Sequence, residues 1–253
     1  MSQASQLETF LGALRFFTRL PVPGTLGQDS AALEKAMRYY PAVGLIVGMC
    51  AAAAFAFTAL FWPKTLAVLA ALVTAILVTG ALHEDGWSDM IDGFGGGADR
   101  EGILAIMRDS RIGNFGAVGL VLILLTRFCA LLEVAETRML LVPVALVAGH
   151  AASRLCSAGV FHWLDYARPE GKAAPFGKLG QSDLIFAAIM GLLPVLLLSP
   201  AQSIPALLFA AGASFWLWRL FKRRLGGYTG DCLGAVQQLA EVAFYGGLLC
   251  GSF

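Results

Sequence analysis

The sequence predicts an all-α integral membrane bundle of about seven transmembrane helices, and three observations predict it. Of 253 residues, 58% are hydrophobic and only 14% charged, against about 25% charged in an ordinary soluble domain; mean hydropathy is +0.72. The apolar residues gather into nearly uncharged runs close to the ~20 residues that cross a hydrocarbon core of about 30 Å. Lys and Arg fall almost wholly in every second connection, which fixes sidedness. The net charge of +1 points to no class of partner, and no nucleic-acid partner is expected.

The elements follow in order. The first residues do not read as a cleavable signal peptide, since Glu8 precedes any apolar run. Phe10, Leu11, Leu14, Phe17 and Leu20 mark one face of a short helix over 5–20 that carries Arg15 and Arg19 and is stopped by Pro21 and Pro23. An amphipathic helix lying in the interface is the expected reading, with a buried packing helix as its alternative. Runs 42–62 and 65–82 are uncharged and joined by a tight Pro63-Lys64 turn. Run 112–132 contains Arg127, read as snorkelling to the interface, and 139–161 contains His150 and Arg154, the latter suited to the bundle interior. Run 184–218 is too long for one span and is expected to break at Pro200 to Pro205 into two short helices; 232–251, with Glu241, is the seventh. Cys50, Cys129, Cys156, Cys232 and Cys250 form no CxxC pair and read as small core residues.

Seven spans place the N-terminus and the 83–111, 162–183 and 219–231 connections on one side. Apart from Arg127 and Arg154 within spans, only Lys64 and Arg138 of the 18 Lys and Arg lie on the other. The basic side is therefore the cytoplasmic one. A single membrane domain over 1–253 is expected, with 83–111 as its cytoplasmic catalytic segment.

That segment runs His83-Glu84-Asp85-Gly86-Trp87-Ser88-Asp89-Met90-Ile91-Asp92-Gly93. In a helix, Asp85, Asp89 and Asp92 stand at i, i+4 and i+7 and project from one arc about 60° wide. At about 6 Å and an effective dielectric near 20, each pair repels by about 2–3 kcal/mol. A cation is expected, and an oxygen-only donor set favours Mg²⁺, Mn²⁺ or Ca²⁺ over zinc. The spacing is not that of an EF-hand loop. Glu84 points about 100° away. His83, beside the acids, reads equally as a structural histidine or a proton carrier.

Basic and glycine-rich stretches supply anion-binding chemistry. Asp99 is an expected N-cap for a helix through Met107, which leads to Arg108-Asp109-Ser110-Arg111; its arginines suit bidentate capture of phosphate. Asp109 is read as orienting an arginine, ligating a metal, or neither. Lys222-Arg223-Arg224-Leu225-Gly226-Gly227-Tyr228-Thr229-Gly230-Asp231 opens the last span. Glycines ahead of a helix N-terminus free backbone N–H groups for an anion, although no Walker pattern is present. Arg168-Pro169-Glu170-Gly171-Lys172 carries mixed charge for a polar substrate or for solvation alone.

Three stretches together resemble the cobalamin synthase (adenosylcobinamide-GDP ribazoletransferase) family: His83-x-Asp85-Gly86-x-x-Asp89-x-x-Asp92-Gly93, 106–113 as Ile-Met-Arg-Asp-Ser-Arg-Ile-Gly, and 226–235 as Gly-Gly-Tyr-Thr-Gly-Asp-Cys-Leu-Gly-Ala. Thr18-Arg19-Leu20-Pro21-Val22-Pro23 matches as well. Glu84, commonly apolar in the family, and Cys232, commonly a small residue such as Thr, depart from the pattern without removing an expected ligand.

The resemblance implies an enzyme of the bacterial inner membrane, with its site facing the cytoplasm, that completes the nucleotide loop of cobalamin. The 3′-hydroxyl of α-ribazole, or of its 5′-phosphate, attacks the phosphoryl group on the cobinamide arm of adenosylcobinamide-GDP, and GMP leaves. Mg²⁺ is the implied cofactor. Asp85, Asp89 and Asp92 are then the expected metal ligands, with one carboxylate or His83 as base. Arg108, Asp109, Arg111 and the turn residues Gly226, Gly227, Thr229, Gly230 and Asp231 are expected on the phosphates. Arg168, Glu170 and Lys172 are expected on polar groups of either substrate. A homo-oligomer, or association with other enzymes of the same pathway, stays open. Two rivals stand beside this reading: a lipid synthase resembling the CDP-alcohol phosphotransferases, and a cation or proton transporter motivated by Glu241, Arg154 and the acidic cluster.

Overall fold

A computed structural model describes residues 5–24, 33, 35–168 and 176–250. Among the described residues the regular structure is helical, apart from one isolated bridge between Tyr166 and Tyr228. In chain order the helices are α1 (Gln6–Phe17), α2 (Tyr40–Thr58), α3 (Lys64–Thr79), α4 (Leu82–Gly96), α5 (Arg100–Ile106), α6 (Asn114–Arg138), α7 (Val142–Trp163), α8 (Gln181–Leu192), α9 (Pro200–Arg224) and α10 (Gly230–Leu248). Each predicted run meets a helix, and the protein is an all-α membrane bundle. Among the described residues, Ala36–Thr58, Asn114–Trp163 and Pro200–Arg224 are long and apolar enough to cross a membrane; the bent pair Lys64–Thr79 and Leu82–Gly96 makes a fourth when counted as one span. The stretch Asn114–Trp163 is divided at Arg138, whose φ of −150° and ψ of 69° leave the helical region.

The last helix is the centre of the molecule. α10 packs against α4, α6, α7 and α9 and is buried along most of its length. α2 pairs with α3 and α7 on one flank. α1 is closed at its start by a reciprocal capping box, Ser5 with Glu8. It then docks on the bundle through Phe17, stacked on Tyr40 at 4.2 Å between ring centroids. Ala13 and Phe17 are buried while Leu7 is exposed, so α1 shares the features of both predicted readings.

Two predicted features need correction. Pro205 lies inside α9 and does not divide it. The break falls at Leu198, and α9 starts at Pro200 behind a Ser199–Gln202 capping box. Proline is favoured at the first helical position, and at Pro205 the helix forgoes one backbone hydrogen bond. Arg127 does not snorkel. It sits mid-way along α6, is 1% exposed, and donates to Glu84 at 3.0 Å and Glu241 at 3.3 Å. A guanidinium halfway along an apolar helix is too far from either end to reach water, so it is held by two buried carboxylates.

The turn between α3 and α4 sets the site. Gly80 (φ 65°) and Ala81 (φ 57°) are both left-handed, and they turn α4 by 87° from α3. Ala81 N–H donates to Ile76 O and Gly80 N–H to Leu77 O, the Schellman closure that glycine at this place permits. The segment 83–111 is thereby helical over most of its length, with α5 capped at Asp99 as expected. α4 lies across the N-terminal end of α10.

Candidate active site

α4 and α10 cross so closely that a Cβ on Gly86 would stand 2.9 Å from the Asp231 carbonyl oxygen and 3.0 Å from its Cα. Facing it, a Cβ on Gly234 would stand 3.3 Å from the His83 Cα. Small residues at a crossing let backbones approach. This contact joins two motifs far apart in the chain, and the acids of α4 come to face the first turn of α10.

The third wall is stitched on by backbone and arginine bonds. Tyr228 N–H donates to Asp165 O at 3.0 Å and Ala167 N–H to Tyr228 O at 2.8 Å, which carries Arg168 to Asp231. Arg100 donates to Leu225 O at 2.8 Å and Ala167 O at 2.9 Å, and Arg224 to Gly97 O at 2.9 Å. These two cations hold the connections around the site together.

The result is a cavity of ≈ 430 Å³ lined by His83, Asp85 and Asp89 from α4, Arg108, Asp109 and Ser110 from the α5–α6 connection, and Tyr166 and Arg168. Gly230 and Asp231 of α10 complete the polar wall; Phe16, Phe17, Tyr40 and Phe176 form an aromatic one. His83 is buried, with its Nε2 2.7 Å from the Tyr40 hydroxyl. The Arg168 guanidinium lies 3.3 Å from Asp231, and its Nε is buried with no hydrogen-bond partner. The same Asp231 oxygen accepts from the Thr229 hydroxyl.

The structure thus gathers His83, Asp85, Asp89, Arg108, Asp109, Arg168, Gly230 and Asp231. It sets five other predicted residues apart. Asp92 is the main correction: its Oδ2 accepts from Gly113 N–H at 2.7 Å and its Oδ1 from Gly116 N–H at 2.8 Å. Both oxygens are committed to the N-terminus of α6, an N-cap supplied from another helix. Among the described residues no three His, Cys, Asp or Glu side chains cluster as a metal cage. Arg111 points to solvent, 86% exposed, and grips Asp109 at 2.6 Å. Its two-pronged hydrogen bond holds the Asp109 carboxyl down at about 2. Gly226 (φ 70°) shapes the turn, Gly227 packs on Asp165, and Thr229 caps α10 through Cys232 N–H. Glu170 and Lys172 lie outside the described residues.

Sequence reading does not single out Tyr40, Tyr166 or Phe176 and takes Phe17 only as part of a helix face, because a lone aromatic has no spacing partner to mark it as a cavity wall. Glu241 and Arg154, which had suggested a transport path, are engaged in the bundle. Glu241 accepts from Arg127 and lies 3.0 Å from His150 Nδ1, while Arg154 donates to His150 O at 2.9 Å.

A family model described as cobalamin-5-phosphate synthase matches residues 9–249. A relative from Ralstonia nicotianae is 43% identical over 232 residues, 91% of this chain and 90% of its own length. One from Shewanella frigidimarina is 40% identical over 248 residues, covering 95% and 93%. Another, from Shewanella baltica, is 39% identical over 243 residues, again covering 95% and 93%. All three are named adenosylcobinamide-GDP ribazoletransferase. No solved structure matches the chain.

Proposed function

The chain belongs to the cobalamin-5-phosphate synthase family and is a multi-pass membrane transferase of cobalamin synthesis, and we propose that its reaction takes place in the cavity between α4 and α10. The activity is that of an adenosylcobinamide-GDP ribazoletransferase: the acceptor is α-ribazole or its 5′-phosphate, and the products are GMP and adenosylcobalamin or its 5′-phosphate. The observation that carries this placement is the juxtaposition of Asp85 and Asp89 with Arg108, Arg168 and the first turn of α10 in one cavity.

Displacement at a diphosphate needs the leaving phosphates neutralised and the nucleophile held in line. Arg168, whose Nε is buried without a partner, and Arg108 are the donors for the phosphate oxygens. Asp231 holds the Arg168 guanidinium in place. Of the two proton acceptors expected, His83 already has its Nε2 against the Tyr40 hydroxyl, whereas Asp85 is exposed. Asp85 is therefore the better-placed base for the acceptor hydroxyl. The oxygen-only donors fit Mg²⁺, which binds through one or two carboxylates, waters and substrate phosphates. Asp89 would hold it, with Asp85 kept for the proton and Asp92 used elsewhere. Bound there, Mg²⁺ supplies charge neutralisation on the diphosphate.

At ≈ 430 Å³ the cavity is of the size that takes a drug-sized ligand. It therefore receives the diphosphate end of the donor, with the corrin ring outside. The bias of Lys and Arg supports a cytoplasmic orientation of this face in the bacterial inner membrane. Protein reconstituted in lipid vesicles with adenosylcobinamide-GDP, α-ribazole and Mg²⁺ should release GMP. Asp89→Asn should lower the rate by about 10²-fold or more while the protein stays folded. Near-normal turnover by that variant would remove the site from α4.

A further inference from the structure

The apolar outer surface of the bundle is broken by a groove of ≈ 630 Å³ between α7, α8 and α9. No residue lines both this groove and the reaction cavity. Leu155 and Trp163 mark its ends on α7, Ala211 and Trp218 its ends on α9, and Leu184 and Ala188 of α8 form the third side. At about 1.5 Å per helical residue it runs about 10–12 Å along the bundle. No charged side chain lines it among the described residues. The hydroxyl of Ser214 is engaged within α9, donating to Ala210 O at 2.7 Å. Below Trp218 the groove therefore offers contact to hydrocarbon and little to a polar ligand.

Its mouth is different. Ala211, Phe215, Trp218 and Lys222 stand at i, i+4, i+7 and i+11, a single stripe along α9. Lys222 continues the line of the groove about one turn beyond Trp218, with its Nζ 5.0 Å from the centroid of that ring. Arg219 lies over Phe215 in the same way, at 5.8 Å. Both cations are exposed, and neither forms an ion pair among the described residues. The acids beside the mouth in sequence, Asp165 after α7 and Asp183 in the first turn of α8, are taken by Lys178 at 2.8 Å and Arg38 at 3.0 Å. The Trp218 indole N–H has no acceptor among the described residues. The mouth lies at the same end of the bundle as the reaction cavity: α7 leaves it toward Arg168, α9 leaves it toward Gly226, and the two exits meet at the Tyr166–Tyr228 bridge.

An apolar slot that ends in two free cations is complementary to one kind of membrane molecule. A phospholipid supplies a chain for the slot, ester oxygens for the level of Trp218, and a phosphate beyond them. In an anionic headgroup no ammonium offsets that phosphate. A second copy of the chain fits less well, because a two-fold axis along the membrane normal would set Arg219 and Lys222 of both copies at one level, cation against cation. We propose that the groove between α7, α8 and α9 binds an anionic phospholipid, one acyl chain lying along Ala211, Phe215 and Trp218 and the phosphate resting on Lys222 and Arg219. The bound chain fills the gap between α7 and α9 on the way to the bridge that carries Arg168 to the reaction cavity. The site stands whether or not the reaction assigned to that cavity does.

The probe is a phospholipid with brominated acyl chains, which quenches the tryptophan fluorescence of full-length protein in vesicles. Brominated phosphatidylglycerol diluted into phosphatidylcholine should reach half-maximal quenching at a mole fraction about fivefold lower than brominated phosphatidylcholine diluted into the same lipid, the worth of one Lys or Arg near an anionic headgroup. Trp163→Phe with Trp218→Phe should remove this preference, since both tryptophans line the groove. Arg219→Gln with Lys222→Gln should bring the two lipids within about twofold of each other. Ala211→Phe, at an exposed position inside the groove, should do the same by filling it. The charge variants alter exposed side chains alone, so they decide the matter if Ala211→Phe does not fold. Equal quenching by the two lipids in wild-type protein, or a preference that survives the charge variants, would overturn the site. A preference lost with the charges but kept in Ala211→Phe would put the lipid on the basic surface outside the groove and overturn it as well. A cross-linked dimer that Ala211→Phe converts to monomer, with no lipid preference, would give the groove to a second copy instead.

Discussion

Replacing Asp92 separates a structural carboxylate from catalytic ones within a single motif. Its two oxygens satisfy the backbone N–H groups of Gly113 and Gly116 where α6 begins, and the side chain is 8% exposed. Asp92→Ala strands one buried and one part-buried donor, at about 1–3 kcal/mol each, and removes a charge from the positive end of a helix, at about 0.3–1 kcal/mol. The total is about 2–7 kcal/mol, comparable at its upper end with the whole stability of many domains. Asp92→Asn keeps one acceptor oxygen and should cost about half as much. The assay is thermal unfolding of purified protein in lipid or detergent, paired with GMP release as a function of Mg²⁺ concentration. The expected pattern is a lower unfolding temperature for Asp92→Asn, with the Mg²⁺ concentration for half-maximal rate unchanged in the folded fraction. Asp89→Asn should do the reverse, unfolding like wild type while losing turnover. An Asp92→Asn protein of wild-type stability needing tenfold more Mg²⁺ would refute the assignment of this side chain to the helix end.

Further outcomes follow from other contacts. Gly86→Ala places a methyl 2.9 Å from the Asp231 carbonyl oxygen, a backbone atom. The α4–α10 crossing must widen, and kcat should fall by about 10²-fold with helix content by circular dichroism unchanged. Arg127→Ala leaves Glu84 and Glu241 buried without their cation, costing about 3–5 kcal/mol, read as lost folded protein in detergent extracts. Glu84→Gln with Glu241→Gln should restore part of that loss. Arg111→Ala releases the Asp109 carboxyl from about 2 toward its ordinary 3.8. Because a depressed carboxylate is ionised above both values, the rate at pH 7 should change less than about twofold, and a difference should emerge only as pH falls below about 4.

The sequence made the helices legible because a bilayer imposes length and apolarity on any segment that crosses it, as in 42–62 against α2. The capping of α5 by Asp99 was legible for a similar reason: an N-cap and the amides it serves are three residues apart. Asp92 shows where that logic ends. Its period with Asp85 and Asp89 is right for one helical face, but its partners lie 21 and 24 residues further along, and a spacing rule carries no such information. Arg127 was misread because its partners lie on α4 and α10, and a lone cation in an apolar run has no visible counter-charge in its own segment. The neighbourhood of Asp85 and Asp231 depends on Gly86 and Gly234 meeting in space. Each glycine is visible in its motif, yet only the fold pairs them.

The buried cluster of Glu84, Arg127, His150 and Glu241 also constrains how the protein is made. Arg127 near the middle of α6 would cost about 2.5–3.5 kcal/mol to leave in lipid alone, and Glu241 in α10 carries a burden of the same kind. Glu241 finds its cation on α6, more than a hundred residues earlier in the chain, whereas Arg127 also has Glu84 of α4. During synthesis Glu84 of α4 is already there to pair with Arg127 when α6 is made, and α10 completes the cluster by bringing Glu241 to Arg127 and His150. Completion of the membrane domain and assembly of the α4–α10 cavity are then one event, so a nascent chain lacking its final helix has neither a settled bundle nor a site.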